Sequence, residues 1–343
     1  MSAIQRAIPV FERLPWPDRV SRAAVSLLVG RTREKLARAP ADINRRFAAG
    51  MPNYPIAEAV DAANAQHYEV PAAFYELVLG PQRKYSCCYY DDAASSLARA
   101  EECALARTAE NAALADGKDI LELGCGWGSL SLWMASHYPA AKITAVSNSK
   151  SQRAYILGQA QARGLSNLDV ITADMNMFAP PRKFDRVVSV EMFEHMANWR
   201  LLLERVRGWL KADGMLFFHV FTHRRAPYRF DVGDKEDWIA QHFFTGGIMP
   251  SHDLVLEFPD LFSLDGRWRW NGVHYARTAQ DWLKNFDRNR DAIDAVLKQT
   301  YGADAALWRR RWRLFFLATA GLFGHADGKE WGVSHYRLKP VHA

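Results

Sequence analysis

Residues 120–123, Ile-Leu-Glu-Leu, form a short apolar run that ends against three alternating glycines, Gly124, Gly126 and Gly128. Such a run suits a buried strand that turns sharply into a helix beginning near Ser129, because glycines tolerate the left-handed backbone of a tight turn. Missing side chains also let backbone amides approach a ligand, the construction of nucleotide-type sites at the carboxyl end of a parallel strand. The spacing narrows the choice of ligand. A dinucleotide fingerprint runs G-x-G-x-x-G with an acid about 20 residues further on. Here the loop is G-x-G-x-G behind Glu122, and the next strand ends at Ser147-Asn148. The pattern argues against NAD, while the loop alone is also satisfied by a plain strand-to-helix turn, so other residues must decide.

Further strands are predicted at 143–147, 168–173, 184–190 and 215–221, with helical patterns over 93–115, 151–163 and 199–210. This alternation predicts an α/β, Rossmann-like fold: a parallel sheet with helices on both faces. Ligands in such sheets sit beyond the carboxyl ends of the strands. The residues closing the five strands are Glu122, Ser147, Asp174, Glu191 and Phe221. After Phe221 the alternation stops. Residues 225–313 carry many aromatic rings and read as a helical lid inserted over the strand ends, or as an ordinary aromatic core. Alternation returns over 329–339 and predicts a closing strand.

Residues 1–66 have helical spacing interrupted by prolines at 9, 15, 17, 40, 52 and 55, which predicts a helical extension of short, kinked pieces ahead of a domain spanning 67–343. Within residues 1–46, ten cationic side chains face four acids, an excess equal to the whole chain's net charge of +6. The remainder is neutral, and no nucleic-acid partner is expected. The basic arm suits either a solvated extension packed on the core, an exchange element of a homodimer, or peripheral contact with anionic lipid. With 343 residues at 49% hydrophobic content, a large core is assured. Cys87, Cys88, Cys103 and Cys125 show no C-x-x-C pairing, so neither disulfides nor a metal site is expected and the thiols fit a reducing cytoplasm. No signal peptide or membrane span is read.

Asp174 followed by Met175 suits an exocyclic amine and a ring face, or alternatively a helix cap. The densest cluster is Glu191-Met-Phe-Glu194-His195, which closes the fourth strand and is expected to open a short helix with its two acids and imidazole on one face. Two carboxylates and a histidine at a strand end fit acid–base work or a supporting ion pair. His219 in the fifth strand is aimed at the same place, or is a core histidine.

Together Tyr85-Ser-Cys-Cys-Tyr89, the 121–128 loop, Phe193-Glu-His195, His219 and His274-Tyr275 resemble the cyclopropane-fatty-acid-synthase family of S-adenosylmethionine-dependent methyltransferases. The doubled cysteine, Glu191 where lipid-modifying members usually have glycine, and the 243–251 run Phe-Phe-Thr-Gly-Gly-Ile-Met-Pro-Ser resemble the coclaurine N-methyltransferase branch. The resemblance implies that Tyr85, Ser86 and the loop of Gly124, Gly126 and Gly128 behind Glu122 hold the amino-acid end of S-adenosylmethionine. It implies Ser147, beside Asn148, and Gln152 at the ribose, and Asp174 and Met175 at the adenine. Ser147 departs from the threonine of lipid-modifying relatives. In cyclopropane synthases a bicarbonate base is held by matches to Cys87, Glu194, His219 and Tyr275. In the N-methyltransferase branch, matches to Glu191, Glu194 and His195 bind the amine and help remove its proton.

Two activities follow from the resemblance. A small amine acceptor must lose a proton before it can attack a methyl group, a task for Glu191, Glu194 and His195. An unsaturated acyl chain of a phospholipid would instead use bicarbonate and aromatic walls, and an unpaired Glu191 facing it would be costly.

Overall fold

The computed structural model describes residues 11–58, 70–234 and 237–341. The predicted boundary at 66/67, the His67-Tyr68-Glu69 stretch and Arg6 of the basic arm lie outside the described residues. Helices α1 (Asp18–Ala37) and α2 (Ile43–Gly50) form the N-terminal segment, followed by α3 (Ala72–Val78) and α4 (Leu97–Asn111). Short kinked pieces were the expectation, but α1 runs 20 residues. Pro17 stands just ahead of its first turn, where a proline breaks nothing, and the next proline is Pro40.

Alternation begins at β1 (Asp119–Leu123) and continues through α5 (Ser129–His137), β2 (Lys142–Ser147), α6 (Lys150–Ala162), β3 (Leu168–Thr172), β4 (Phe184–Val190), α7 (Trp199–Trp209) and β5 (Leu210–His223). A small hairpin, β6 (Tyr228–Arg229) with β7 (Ile248–Met249), brackets α8 (Trp238–His242). Strand β8 (Phe262–Asn271) leads directly into α9 (Gly272–Arg288), then α10 (Arg290–Tyr301), α11 (Ala305–Gly324) and the closing β9 (Trp331–Pro340).

The seven-stranded sheet has the order β3-β2-β1-β4-β5-β9-β8, with the first five strands parallel and β9 antiparallel to both β5 and β8. Strand order reverses between β1 and β4, which puts the glycine loop at the switch point of the sheet. Both faces are covered. Ile120, Ile143 and Val188 pack with α4, α5 and α6 on one side, while Leu121, Val146 and Val187 pack with α7 on the other. A third cluster, built from α3, α9 and α11 around Phe74, Trp282, Trp312 and Phe316, covers the strand ends and takes in Val25, Val29 and Leu36 of α1. Helix α1 is also tied down by Arg33 to Glu330 at 3.0 Å and by Asp18 to Arg313.

One expectation is corrected. The lid segment was read as helical throughout, yet 262–271 is a strand at the edge of the main sheet. Only Phe262 and Trp270 of this strand are buried, and its register shifts between Leu264 and Gly266. An edge strand with little buried surface and a bulge leaves no clean two-residue alternation to detect.

Candidate active site

Beyond the carboxyl ends of β1 to β5 lies a cavity roofed by aromatic side chains of α9 and α11. On its cofactor side the loop after β1 takes left-handed backbone at Gly124, Gly126 and Gly128, with φ of 75°, 52° and 79°. A methyl group on Gly126 would meet nothing within 4 Å, whereas one on Gly128 would strike Ile156 at 2.6 Å. Gly126 therefore opens onto the cavity, and Gly128 is a packing position that starts α5. Glu122 is buried and accepts from the Ser131 hydroxyl. Burial pushes its carboxyl up to about 8, against the pull of that hydroxyl. Ser147 Oγ donates to Gln152 Oε1 at 2.7 Å and accepts from the Ser149 amide at 3.0 Å. Asp174 Oδ1 accepts from the Asn176 amide at 2.8 Å, a local turn that caps no helix and leaves Asp174 and Met175 on the cavity wall.

Ten of the expected cofactor residues, Tyr85, Ser86, Glu122, Gly124, Gly126, Ser147, Asn148, Gln152, Asp174 and Met175, line this one cavity, and Gly128 stands behind it. They fit S-adenosylmethionine: Gly126 leaves room for close approach, and the buried Ser129 hydroxyl on the wall has no partner among the described residues.

On the other side the carboxylates do not share a helix face as expected. The turn is a single 3-10 turn, Phe193–His195, and Glu191 precedes it with a left-handed φ of 47°. Its amide donates to the His219 carbonyl at 2.8 Å, which extends the parallel β4–β5 pairing by one rung, and the left-handed turn at this residue leaves its side chain buried against β5. Glu191 Oε1 accepts from the Cys87 amide at 2.9 Å and lies 3.1 Å from His219 Nε2, while Oε2 accepts from the Tyr275 hydroxyl at 2.5 Å. Burial raises the Glu191 carboxyl above its usual range, with the charge of Lys84, the Cys87 amide and the Tyr275 hydroxyl working the other way. Burial and then Lys84 hold His219 well below the usual imidazole range, so it is neutral and offers Nε2–H to Glu191.

Glu194 contrasts with its neighbour. It is fully buried, it lines the cavity, and neither carboxylate oxygen has a hydrogen-bond partner among the described residues. Burial first, then the charge of Glu191, raise its carboxyl well above the ordinary range, with the backbone amides of Glu194 itself and Phe221 pulling weakly the other way. His195 stacks its ring on Phe244 with centroids 4.3 Å apart, and Phe221, Tyr275, Trp282 and Phe315 complete the wall.

The bicarbonate expectation does not fit. Cys87 turns its thiol to the Cys88 carbonyl at 3.3 Å, and burial pushes that thiol up and away from ionisation. The Cys87 amide, His219 and Tyr275 all spend their donors on Glu191, which fills the place a small anion would take. Cys87 and His219 thus stand behind Glu191 instead of facing the cavity. Lys84 and Phe315, both on the wall, were missed. The one available signal for Lys84 was a lone lysine inside an otherwise aromatic and cysteine-rich stretch. Phe315 lay just past the expected lid boundary.

The switch-point loop and the sheet order, with β9 inserted antiparallel beside β5, define a class I S-adenosylmethionine-dependent methyltransferase. The chain belongs to the mycolic acid cyclopropane synthetase family, whose sequence profile matches residues 57–327. Among curated proteins it is similar to (S)-coclaurine N-methyltransferase of Thalictrum flavum subsp. glaucum, at 36% identity over 83% of this chain and 80% of that one. It is more distantly similar to cyclopropane-fatty-acyl-phospholipid synthase of Escherichia coli (strain K12), at 26% identity over 78% and 66%. A crystal structure of coclaurine N-methyltransferase bound to N-methylheliamine and SAH superposes with a TM-score of 0.94, at 31% identity, covering 98% of this chain and 100% of that one.

Proposed function

We propose that this enzyme transfers the methyl group of S-adenosylmethionine to the nitrogen of a small aromatic or alkaloid-like amine, with Glu194 taking the proton the amine must lose. The observation that carries the reading is the unpartnered, fully buried Glu194 carboxyl beside an already satisfied Glu191. S-adenosylmethionine supplies an electrophilic methyl on a sulfonium sulfur. Tyr85, Ser86 and the Gly124–Gly128 loop would hold its amino-acid end, Ser147 and Gln152 its ribose, and Asp174 and Met175 its adenine.

An alkyl ammonium entering the cavity gives Glu194 a cationic partner, which favours its ionised form. A carboxylate with a raised pKa is closer in proton affinity to an amine than an ordinary one, so transfer from the ammonium to Glu194 is eased. The freed lone pair then forms the N–C bond as the C–S bond electrons return to sulfur. His195, lying against Phe244, is suited to orient the amine, and the aromatic wall can stabilise its charge by about 0.5–2 kcal/mol per ring face. Relatives named for N-methylation of coclaurine and pavine agree with this reading. Methylation of an acyl chain fits poorly, because Glu191 stands where a bicarbonate base would bind and both carboxyls would face an aliphatic chain.

The N-terminal extension, in this reading, is a packed strut of the 67–343 domain and not a lipid dock. A cytosolic setting agrees with four free thiols, three of them buried. No helix among the described residues is long and apolar enough to cross a membrane. The test is incubation with labelled S-adenosylmethionine against a mixed panel of aromatic amines and unsaturated phospholipids, scored by mass. Label in amines alone is expected; label in lipid alone would overturn the proposal.

A further inference from the structure

Lys84 is only 2% exposed, and no carboxylate of the described residues lies within ion-pairing distance of its side chain. Its Nζ donates to Ser86 Oγ at 2.5 Å and to the Cys87 carbonyl at 2.7 Å. A buried ammonium satisfied only by neutral oxygens is costly unless a nearby negative charge offsets it. Glu101 is not that charge in any direct way, since its oxygens accept from the backbone amides of Gln82 at 2.8 Å and Lys84 at 3.3 Å. Glu191 is the better candidate. The residue whose carbonyl takes the Lys84 ammonium, Cys87, gives its own amide to Glu191 at 2.9 Å.

We propose that Lys84 is the internal counter-ion and positioning residue of the acceptor site. Held by Ser86 and Cys87, its ammonium pins the 84–88 segment against Glu191 and offsets that carboxylate's charge, leaving Glu194 to exchange the proton. Only the last clause rests on the N-methylation reading.

The electrostatic surroundings agree. After burial, which raises the Glu191 carboxyl, the charge of Lys84 is the strongest influence on it and acts in the opposite direction. Tyr275 from α9 and Glu194 from the following turn also face Glu191, and both are raised by burial first and then by its charge. On β5 and β9, His219 and His335 are held neutral, with Lys84 adding to burial in each case. The remaining titratable neighbours are the buried thiols of Cys87 and Cys88, which burial pushes up, and Glu101 on α4, which burial raises to about 7. Among the described residues Lys84 is thus the cation that acts on Glu191, whereas its neighbour Arg83 acts on Glu101, and Glu191 is the carboxylate of this group with the most hydrogen-bond donors. Where a lipid-modifying relative would recruit a loose anion, this chain carries a fixed one, and a fixed anion in a dry pocket needs a fixed cation.

The test compares Lys84→Met, similar in length but uncharged, with the wild type and with Lys84→Met/Glu191→Gln. In infrared difference spectra at pH 7, Lys84→Met is expected to gain a protonated-carboxyl band that the double variant lacks. Its acidic limb in kcat/KM should move up by at least one pH unit. An unchanged band pattern with a rate loss uniform across pH would overturn the proposal and leave Lys84 a structural lysine. If Lys84→Met does not fold, Glu191→Gln in the same chain should restore folding, and failure to restore it also counts against the proposal. The infrared comparison needs no acceptor, so it stands even if the wild type methylates no amine in the panel.

Discussion

Glu122, Gly124, Gly126 and Gly128 come from seven consecutive residues, and the rest of the cofactor side, Tyr85 and Ser86 apart, follows from where β2 and β3 end. The acceptor side is assembled differently. Glu191 is fixed by donors from Cys87, His219 and Tyr275, which are 104, 28 and 84 positions away along the chain. One half of the cavity is a local motif repeated at successive strand ends, and the other exists only after the sheet, α9 and the 84–88 segment have come together. Cofactor recognition should therefore tolerate changes in the acceptor half, while the reverse dependence is strong because the amine must be aligned on the methyl group.

The strongest way to break this division is Glu194→Gln. It should lower kcat for the amine by about 10²–10⁴-fold while calorimetry shows cofactor affinity nearly unchanged; parallel losses in both would mean the halves are not separable. Next in size is Glu191→Gly. Wild-type turnover should be indifferent to added bicarbonate, whereas the glycine variant, with Cys87, His219 and Tyr275 left without their acceptor, should regain roughly tenfold in rate with it. Absence of rescue would count against the view that Glu191 fills an anion's place.

On the cofactor side, Gly126→Ala should cost a modest loss of thermal stability, since alanine is strained at φ 52°, and weaken cofactor binding by roughly tenfold, about 1.4 kcal/mol. Gly128→Ala should mainly lower thermal stability, since its methyl meets Ile156. A pH effect is expected at Glu122. Its folded carboxyl is raised to about 8, so the cofactor-free protein holds a proton that the unfolded chain has already released. That contribution to stability is complete below the ordinary carboxyl range and is lost as pH rises through about 8. The thermal midpoint of the cofactor-free enzyme should accordingly fall between pH 6 and pH 9, and Glu122→Gln should flatten the slope.

Strands β1 and β2 were legible because each is a short apolar run buried on both faces, and the edge strand β3 because Leu168 and Val170 face in on either side of exposed Asp169; their order put Glu122, Ser147 and Asp174 where a ligand would sit. Glu191, Glu194 and His195 were found by composition, but their geometry was not: a left-handed Glu191 and a single 3-10 turn replace the expected helix face. Lys84 escaped because its partners are a hydroxyl and a carbonyl two and three residues on, a contact that leaves no spacing pattern. Strand β8 escaped because Trp268, Arg267 and Arg269 mask what little alternation an edge strand has.

That edge strand sets a length standard for catalysis. Asn271, its last residue, caps α9 by accepting from the Val273 amide at 2.8 Å, and a methyl on Gly272 would collide with the Trp331 carbonyl at 2.1 Å. Strand and helix are therefore clamped to β9 at their junction, and Tyr275 lies one turn further on. An extra residue ahead of this clamp can be taken up as a bulge, like the irregularity between Leu264 and Gly266, but a single residue gained or lost between Gly272 and Tyr275 would rotate the tyrosine hydroxyl off Glu191. Variation among natural versions of this enzyme should consequently be tolerated in length within the edge strand ahead of Asn271 and frozen in length from Asn271 to Tyr275.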